Sequence, residues 1–226
     1  MRIQHPIAAA LARLWYALLQ ILAQLLAVIL FRLRVSGRRH VPRRGEVLIV
    51  SNHQSFMDPV LVACGLPRHL RYLARDSLFK FPPAAWLIRS LGAIPIHREG
   101  TGLTGLKETL RQLRAGHAVL MFPEGTRSRD GRVKPLRPGV SLLVERAGAT
   151  VVPVALAGAF EAWPRGRRLF RPHPICVQFG PPIDTGSLAG LEPAAIADFV
   201  QRELVRCHAA AARRLDRADR PRHRPA

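Results

Sequence analysis

The chain has 226 residues, enough for one α/β domain with a sizeable core and too few for two comfortable domains plus an anchor. Its 35 lysines and arginines against 15 acidic residues leave a formal charge of +20, a balance that points to nucleic acid, an anionic membrane surface or acidic substrates. The three cysteines, Cys64, Cys176 and Cys207, are far apart with no C-x-x-C spacing, which excludes a paired-cysteine zinc or redox motif and predicts free thiols in a reducing compartment.

From Leu14 to Phe31 no residue is charged. As a helix this run extends about 27 Å, close to the hydrocarbon core of a bilayer, so length leaves spanning and lying flat both open. No small-residue cleavage site follows it. Arg32, Arg34, Arg38, Arg39, Arg43 and Arg44 follow instead, which argues against a cleaved signal peptide and for a retained anchor. Arg13, Ala17, Gln20, Gln24 and Ala27 fall near one helical face, a narrow polar or small-residue stripe that suits an interfacial helix or one packed on a partner helix. Residues 1–44 therefore read as a membrane-anchoring helix with a basic juxtamembrane segment. The arginines are expected on the cytoplasmic side of an inner membrane. A buried core helix of a soluble protein is the plainer alternative.

Beyond residue 44 strand-like and helical patterns alternate. Strands are expected at Val47–Val50, Leu70–Leu73, Ala93–Ile96, Ala118–Phe122, Val151–Ala155 and Ile175–Phe179. Helices are expected at Pro59–Cys64, Pro83–Leu91, Leu103–Arg114 and Val140–Ala147. The alternation predicts an α/β fold, a mostly parallel central sheet flanked by helices, with ligands at the carboxyl ends of the strands. Pro153, inside "TVVPVALAG", suggests an edge strand, a bulge or a wall beside a cleft. The main domain is read as residues 45–212. A last helix, Pro193–Arg214, leads into a basic disordered tail, residues 213–226.

Four polar breaks interrupt these elements. In "VLIVSNHQSFMDPVLVA" His53 stands five residues before Asp58 at a strand-to-helix junction. Asp58 followed by Pro59 reads as a helix start, with a capping carboxylate and proline at the first helical position. In "PEGTRSRDG" Glu124, Gly125, Thr126 and Arg127 cluster after an apolar strand; glycine allows close backbone approach and an arginine fork suits phosphate or carboxylate. Arg98 emerges after the strand in "GAIPIHRE", and "TVVPVALAG" is the fourth block.

The blocks "NHQSFMD", "GAIPIHR", "FPEGTRS" and "VVPVAL", in this order, resemble the glycerolipid acyltransferases, most closely the bacterial lysophosphatidic acid acyltransferases. The first matches N-H-x-x-x-x-D and the third matches E-G-T-R-S in full, while Pro95 and His97 depart from the usual form of the second. The resemblance implies direct acyl transfer from acyl-CoA or acyl carrier protein to the sn-2 hydroxyl of lysophosphatidic acid. His53 would be the general base and Asp58 its orienting partner. Arg98 and Arg127 would bind the acceptor phosphate, with Gly125 and Thr126 in the same loop. Glu124 would order that loop or hold the glycerol hydroxyls. No spacing implies a metal or bound cofactor; the acyl carrier is a co-substrate and the membrane lipid a partner. A Ser55 nucleophile would require an acyl-enzyme, and the serine has no strained nucleophile elbow. The runner-up acceptor is another lysolipid, such as a lyso-ornithine lipid. From a different class, a basic membrane- or nucleic-acid-binding protein fits the charge, but the arginines lack interleaved aromatics and no helix-turn-helix or zinc spacing occurs, so no nucleic-acid partner is expected.

Overall fold

The computed structural model describes residues 6–96 and 102–219. The chain opens with α1 (Pro6–Phe31), β1 (Arg34–Ser36), β2 (Val47–Ser51), α2 (Asp58–Gly65), β3 (Leu70–Arg75), α3 (Pro82–Ser90) and β4 (Ala93–Ile96). It continues with α4 (Leu103–Arg114), β5 (Ala118–Met121), α5 (Gly139–Ala147), β6 (Thr150–Ala157), the short α6 (Ala159–Ala162), β7 (Cys176–Phe179) and α7 (Pro193–Asp219). The seven strands form one sheet in the order β1-β7-β6-β2-β5-β3-β4. Every pairing is parallel except β6 with β7, so the expected mostly parallel α/β architecture is what the chain adopts.

The central strand shows how period-two alternation builds two cores. Val47 and Ile49 point to the face covered by α1 and α2, where they meet Ala27, Phe31, Leu61 and Val62. Leu48 and Val50 point to the other face and meet Leu113 of α4, Val140, Leu143 and Val144 of α5, and Ile196 and Val200 of α7. With both faces covered, β2 is buried at every position, which is why it reads as a continuous apolar run.

The amino-terminal helix is fastened to this core along one side. Gln20 Nε2 donates to the carbonyls of Ala63 and Leu66 at 2.7 and 2.8 Å, and Gln24 Nε2 donates to Cys64 O at 2.6 Å. These carbonyls lie at the carboxyl end of α2, where Ala63 O also accepts the Leu66 N–H, so the polar stripe of α1 helps to cap a neighbouring helix. Near the start of α1, Tyr16 accepts the Leu70 N–H at 3.2 Å. The opposite side is apolar and open, with Leu14, Leu18, Leu25 and Ile29 all more than half exposed. Residues Ala10–Phe31 are long and apolar enough to cross a membrane, with mean hydropathy 2.2.

Four expectations are corrected. The basic segment expected to precede the main domain is in part a strand of it: Arg34–Ser36 pairs with Cys176–Gln178 at the sheet edge. Of the readings of Pro153, the edge strand is excluded, since it lies in an interior strand between β2 and β7. Its carbonyl accepts Gly180 N–H at 2.8 Å just past the end of β7, so its nitrogen faces a point where no ladder donor is required. The last helix runs to Asp219, past the boundary expected at residue 213, because Ala211, Ala212 and Leu215 pack against Ala157 and Cys176. Asp58 does not cap α2, for reasons given by the site it faces.

Candidate active site

Beyond β2 the chain turns sharply, and the turn is pinned from both sides. Asn52, fully buried, donates to Leu156 O at 3.0 Å and accepts Leu156 N–H at 2.8 Å, so its amide extends the ladder to β6 in place of a backbone pair. This joins the first polar block to the fourth.

The next residue carries the chemistry. His53 Nδ1 lies 2.7 Å from Asp58 Oδ2, with the carboxylate fully buried and the imidazole one-fifth exposed. Oδ2 also accepts the N–H groups of Gln54 at 2.6 Å and Ser55 at 2.8 Å. The carboxylate is therefore turned back into the loop. Asp58 is the first residue of α2, the preceding Met57 is its N-cap, and no side chain caps the helix. Three donors on one oxygen, two of them backbone, outcompete the helix end. Because Oδ2 receives Nδ1–H, Nε2 is left as the proton acceptor, with no partner among the described residues. Phe122 stacks on the ring at 3.9 Å between centroids and 15° between planes, which fixes its rotation.

The second block grips the same histidine by its backbone. Following β5, the neighbour of β2, Glu124 Oε1 accepts His53 N–H at 3.1 Å, and Ser128 N–H donates to His53 O at 2.6 Å. Glu124 is only 4% exposed, and its Oε2 is buried with no hydrogen-bond partner among the described residues. Burial pushes its carboxyl up to about 7, against the pull of the His53 N–H and the Lys134 charge. Gly125 has φ +69°, a backbone that favours glycine. A Cβ there would also come within 2.3 Å of Arg137 Nε, so the guanidinium lies directly over the glycine.

Cationic groups gather around this loop. Arg165 Nη1 donates to Thr126 Oγ1 at 3.3 Å, and Lys134 Nζ donates to Arg127 O at 3.2 Å. Burial, and after it the charge of Arg165, lowers the Arg127 guanidinium below its ordinary value; Asp58 opposes the shift and Arg75 adds to it. Arg127, in the loop after β5, thus feels the charges of Arg165 from the loop after α6 and of Arg75 from β3. An anion between them relieves that repulsion. Arg98 and His97 lie outside the described residues.

Of the site residues expected from the sequence, the structure brings together His53, Asp58, Glu124, Gly125, Thr126 and Arg127. It adds Arg75, Arg137 and Arg165. Arg75 had a signal, an arginine at the carboxyl end of a strand; Arg165 had none. Ser55 is fully buried, its hydroxyl 3.4 Å from Met57 N, and it makes no bond to His53. Among the described residues no three His, Cys, Asp or Glu side chains group as metal ligands.

Comparison with known proteins gives a consistent family assignment. The model of the Acyltransferase family matches residues 32–157. Chloroplastic 1-acyl-sn-glycerol-3-phosphate acyltransferase LPAT1 of Arabidopsis thaliana is 30% identical over 139 residues, 60% of this chain and 39% of that protein. The 1-acyl-sn-glycerol-3-phosphate acyltransferase of Limnanthes douglasii is 32% identical over 156 residues, 68% of this chain and 55% of that one. That of Bacillus subtilis is 26% identical over 159 residues, 70% of this chain and 77% of that one. The chain thus spans about two fifths to just over half the length of these plant relatives. The crystal structure of the 1-acyl-sn-glycerophosphate (LPA) acyltransferase PlsC from Thermotoga maritima superposes with a TM-score of 0.76 at 23% identity, over 99% of this chain and 86% of that one, a likeness of fold.

Proposed function

Because the chain belongs to the acyltransferase family, we propose that it transfers a fatty acyl chain from acyl-CoA or acyl carrier protein to the sn-2 hydroxyl of lysophosphatidic acid, forming phosphatidic acid. The observation that carries this reading is the histidine held by a fully buried carboxylate at 2.7 Å, its far nitrogen without a partner among the described residues. An alcohol loses its proton only as it attacks, so it needs a base at bonding distance at that moment. In the proposed step His53 Nε2 takes the proton while the hydroxyl oxygen bonds to the thioester carbonyl carbon. The C–S bond then breaks, and the proton passes to the departing thiolate sulfur. Asp58 keeps Nδ1 protonated and stabilises the imidazolium. Arg75, Arg127 and Arg165 receive the acceptor phosphate, and Arg98 is assigned the same role from the sequence alone.

The protein is proposed to work at the cytoplasmic face of the inner membrane. The open aliphatic side of α1 would be immersed among lipids, and the arginines that follow it match the positive-inside bias. Since the other side of α1 is fastened to the domain from Tyr16 to Phe31, the helix is read as lying in one leaflet.

The test is acylation by the purified protein in detergent with labelled acyl-CoA or acyl carrier protein and a panel of lysophosphatidic acid, lysophospholipids with larger headgroups and lyso-ornithine lipid, products being identified by mass spectrometry. Phosphatidic acid as the main product is expected. Preference for another lysolipid would move the acceptor, and no acylation with either donor would overturn the enzyme reading.

A further inference from the structure

The loop between α6 and β7 plays no part in the reaction beyond Arg165, yet its construction is specific. Residues 165–172, "RGRRLFRP", are all exposed, with Leu169 at 77% and Phe170 at 43%. A single exposed leucine is ordinary. This one stands on a loop that hydrogen bonds hold in shape. Trp163 Nε1 donates to Arg167 O at 2.8 Å, Arg171 N–H donates to Ala162 O at 2.9 Å, and Arg171 Nε donates to Glu161 O at 2.6 Å. The scaffold displays two adjacent apolar side chains between Arg167, Arg168 and Arg171. Arg167 and Arg168 form no ion pair among the described residues.

The position of the loop says what meets it. Phe170 packs edge-on against Phe31, the last residue of α1, at 5.4 Å between centroids; Phe31 is buried, so the contact fixes the loop tip at the carboxyl end of α1, where that helix meets the core. In the other direction Phe170 approaches Trp163 at 6.1 Å, and Trp163 approaches Phe56 at 5.8 Å, three residues beyond His53. Ring contacts therefore run from the end of α1 through Phe170 and Trp163 to Phe56, in the loop that carries His53. In the amino-terminal half of α1, Trp15 meets the exposed Trp86 of α3 at 5.3 Å. Trp15 and Phe31 are about 24 Å apart along the helix.

We propose that the 163–172 loop is a second membrane-docking element, with Leu169 and Phe170 set among the headgroups of an anionic leaflet beside the carboxyl end of α1 and Arg167 and Arg168 on lipid phosphates. Apolar insertion and basic side chains next to it are what an anionic bilayer surface selects, and neither a neutral surface nor a dry protein interface needs both. The loop at the carboxyl end of α1 and α3 beside its amino-terminal half then rest on the same leaflet. The Phe56–Trp163–Phe170 rings would then lie between lipid and the loop that carries His53, an apolar surface along which an acyl chain can approach. Arg165 in the same loop reaches Thr126, which sets the phosphate pocket at headgroup depth.

The inference rests on membrane association through α1 as proposed above, and not on acyl transfer. The three native cysteines are buried, so Leu169→Cys in the full chain can be labelled selectively with an environment-sensitive nitrobenzoxadiazole dye. Arg114→Cys, exposed on α4 over the opposite face of the sheet, is the control. On vesicles of equal phosphatidylcholine and phosphatidylglycerol, the label at 169 should shift to the blue and lose several-fold in quenching by aqueous iodide, while the label at 114 stays unchanged. Adding Arg167→Glu and Arg168→Glu to the labelled chain should abolish most of that shift, with flotation persisting through α1. A silent label at 169 on chain that floats would overturn the loop and leave the anchor standing; a shift untouched by the two glutamates would overturn the anionic pairing. Chain that does not float at all would overturn both readings.

Discussion

Glu124 accepts the backbone N–H of His53 at 3.1 Å through one carboxylate oxygen, and the other is buried with no partner among the described residues. The two residues are 71 positions apart, so the E-G-T-R loop aligns the base by its main chain, and the acid is held in a state close to half-protonated near neutrality. The same burial that makes the bond firm raises the carboxyl.

That raised carboxyl has a predictable effect on stability. Glu124 titrates near 7 in the fold and near its ordinary 4.5 when unfolded. Between those values the folded chain binds the proton more tightly, so its contribution is complete below pH 4.5 and is lost as pH rises through 7. The span corresponds to about 3 kcal/mol at most. Glu124→Gln keeps an oxygen for the His53 N–H and removes the titration. Its melting temperature relative to the parent should rise steadily from acid to pH 8; a difference independent of pH would place the buried proton elsewhere.

Asp58 supports a loop and not a helix end, which changes what its replacement does. Asp58→Asn retains an acceptor for Gln54 N–H and Ser55 N–H, so the melting temperature should change little. Acylation should nevertheless drop by about 10²-fold or more, since an amide cannot stabilise the imidazolium. Asp58→Ala orphans three buried donors and should lose about 3 kcal/mol or more, well above the roughly 1 kcal/mol of a missing cap. Equal melting temperatures for parent and alanine variant would contradict the geometry.

The arginine cluster should be read out through the acceptor alone. Arg127→Ala, Arg75→Ala and Arg165→Ala are each expected to raise the acceptor KM by about tenfold or more, the loss of one charge-assisted hydrogen bond, with the donor KM nearly unchanged. Arg98→Ala tests the role assigned from the sequence. If an acceptor without phosphate responds equally to these changes, the cluster is serving the fold and not the ligand.

The two sides of α1 should separate stability from membrane attachment. Leu18→Glu with Leu25→Glu alters the open side, where both leucines are 56% exposed, and should move protein to the soluble fraction with the melting temperature preserved. Gln20→Ala with Gln24→Ala removes three hydrogen bonds to the end of α2 and should lower stability by about 1 kcal/mol per bond, seen as a lower melting temperature, while the protein stays with membranes. The reverse pattern would mean that the helix presents its other side to lipid. Sedimentation with membranes and calorimetry in detergent measure the two effects.

What the sequence determined by itself is local. β-branched runs marked the strands, the open apolar run marked α1, and His53 and Asp58 could be paired because a five-residue turn lets their side chains meet whatever the rest of the chain does. What only the tertiary structure decided is which distant segments share a strand end. The order β6-β2-β5-β3 sets the loop after β5 and the end of β3 beside His53, so Glu124 becomes a backbone clamp and Arg75 joins Arg127. Asp58 looked like a cap because the pattern Asp-Pro records helix preference and not the competing donors of Gln54, Ser55 and His53. Gln20 and Gln24 marked a polar stripe without saying that α2 would lie against it. Spacing along the chain encodes conformation and the face a side chain takes; adjacency between elements is settled by which apolar faces bury each other, and that depends on all of them at once.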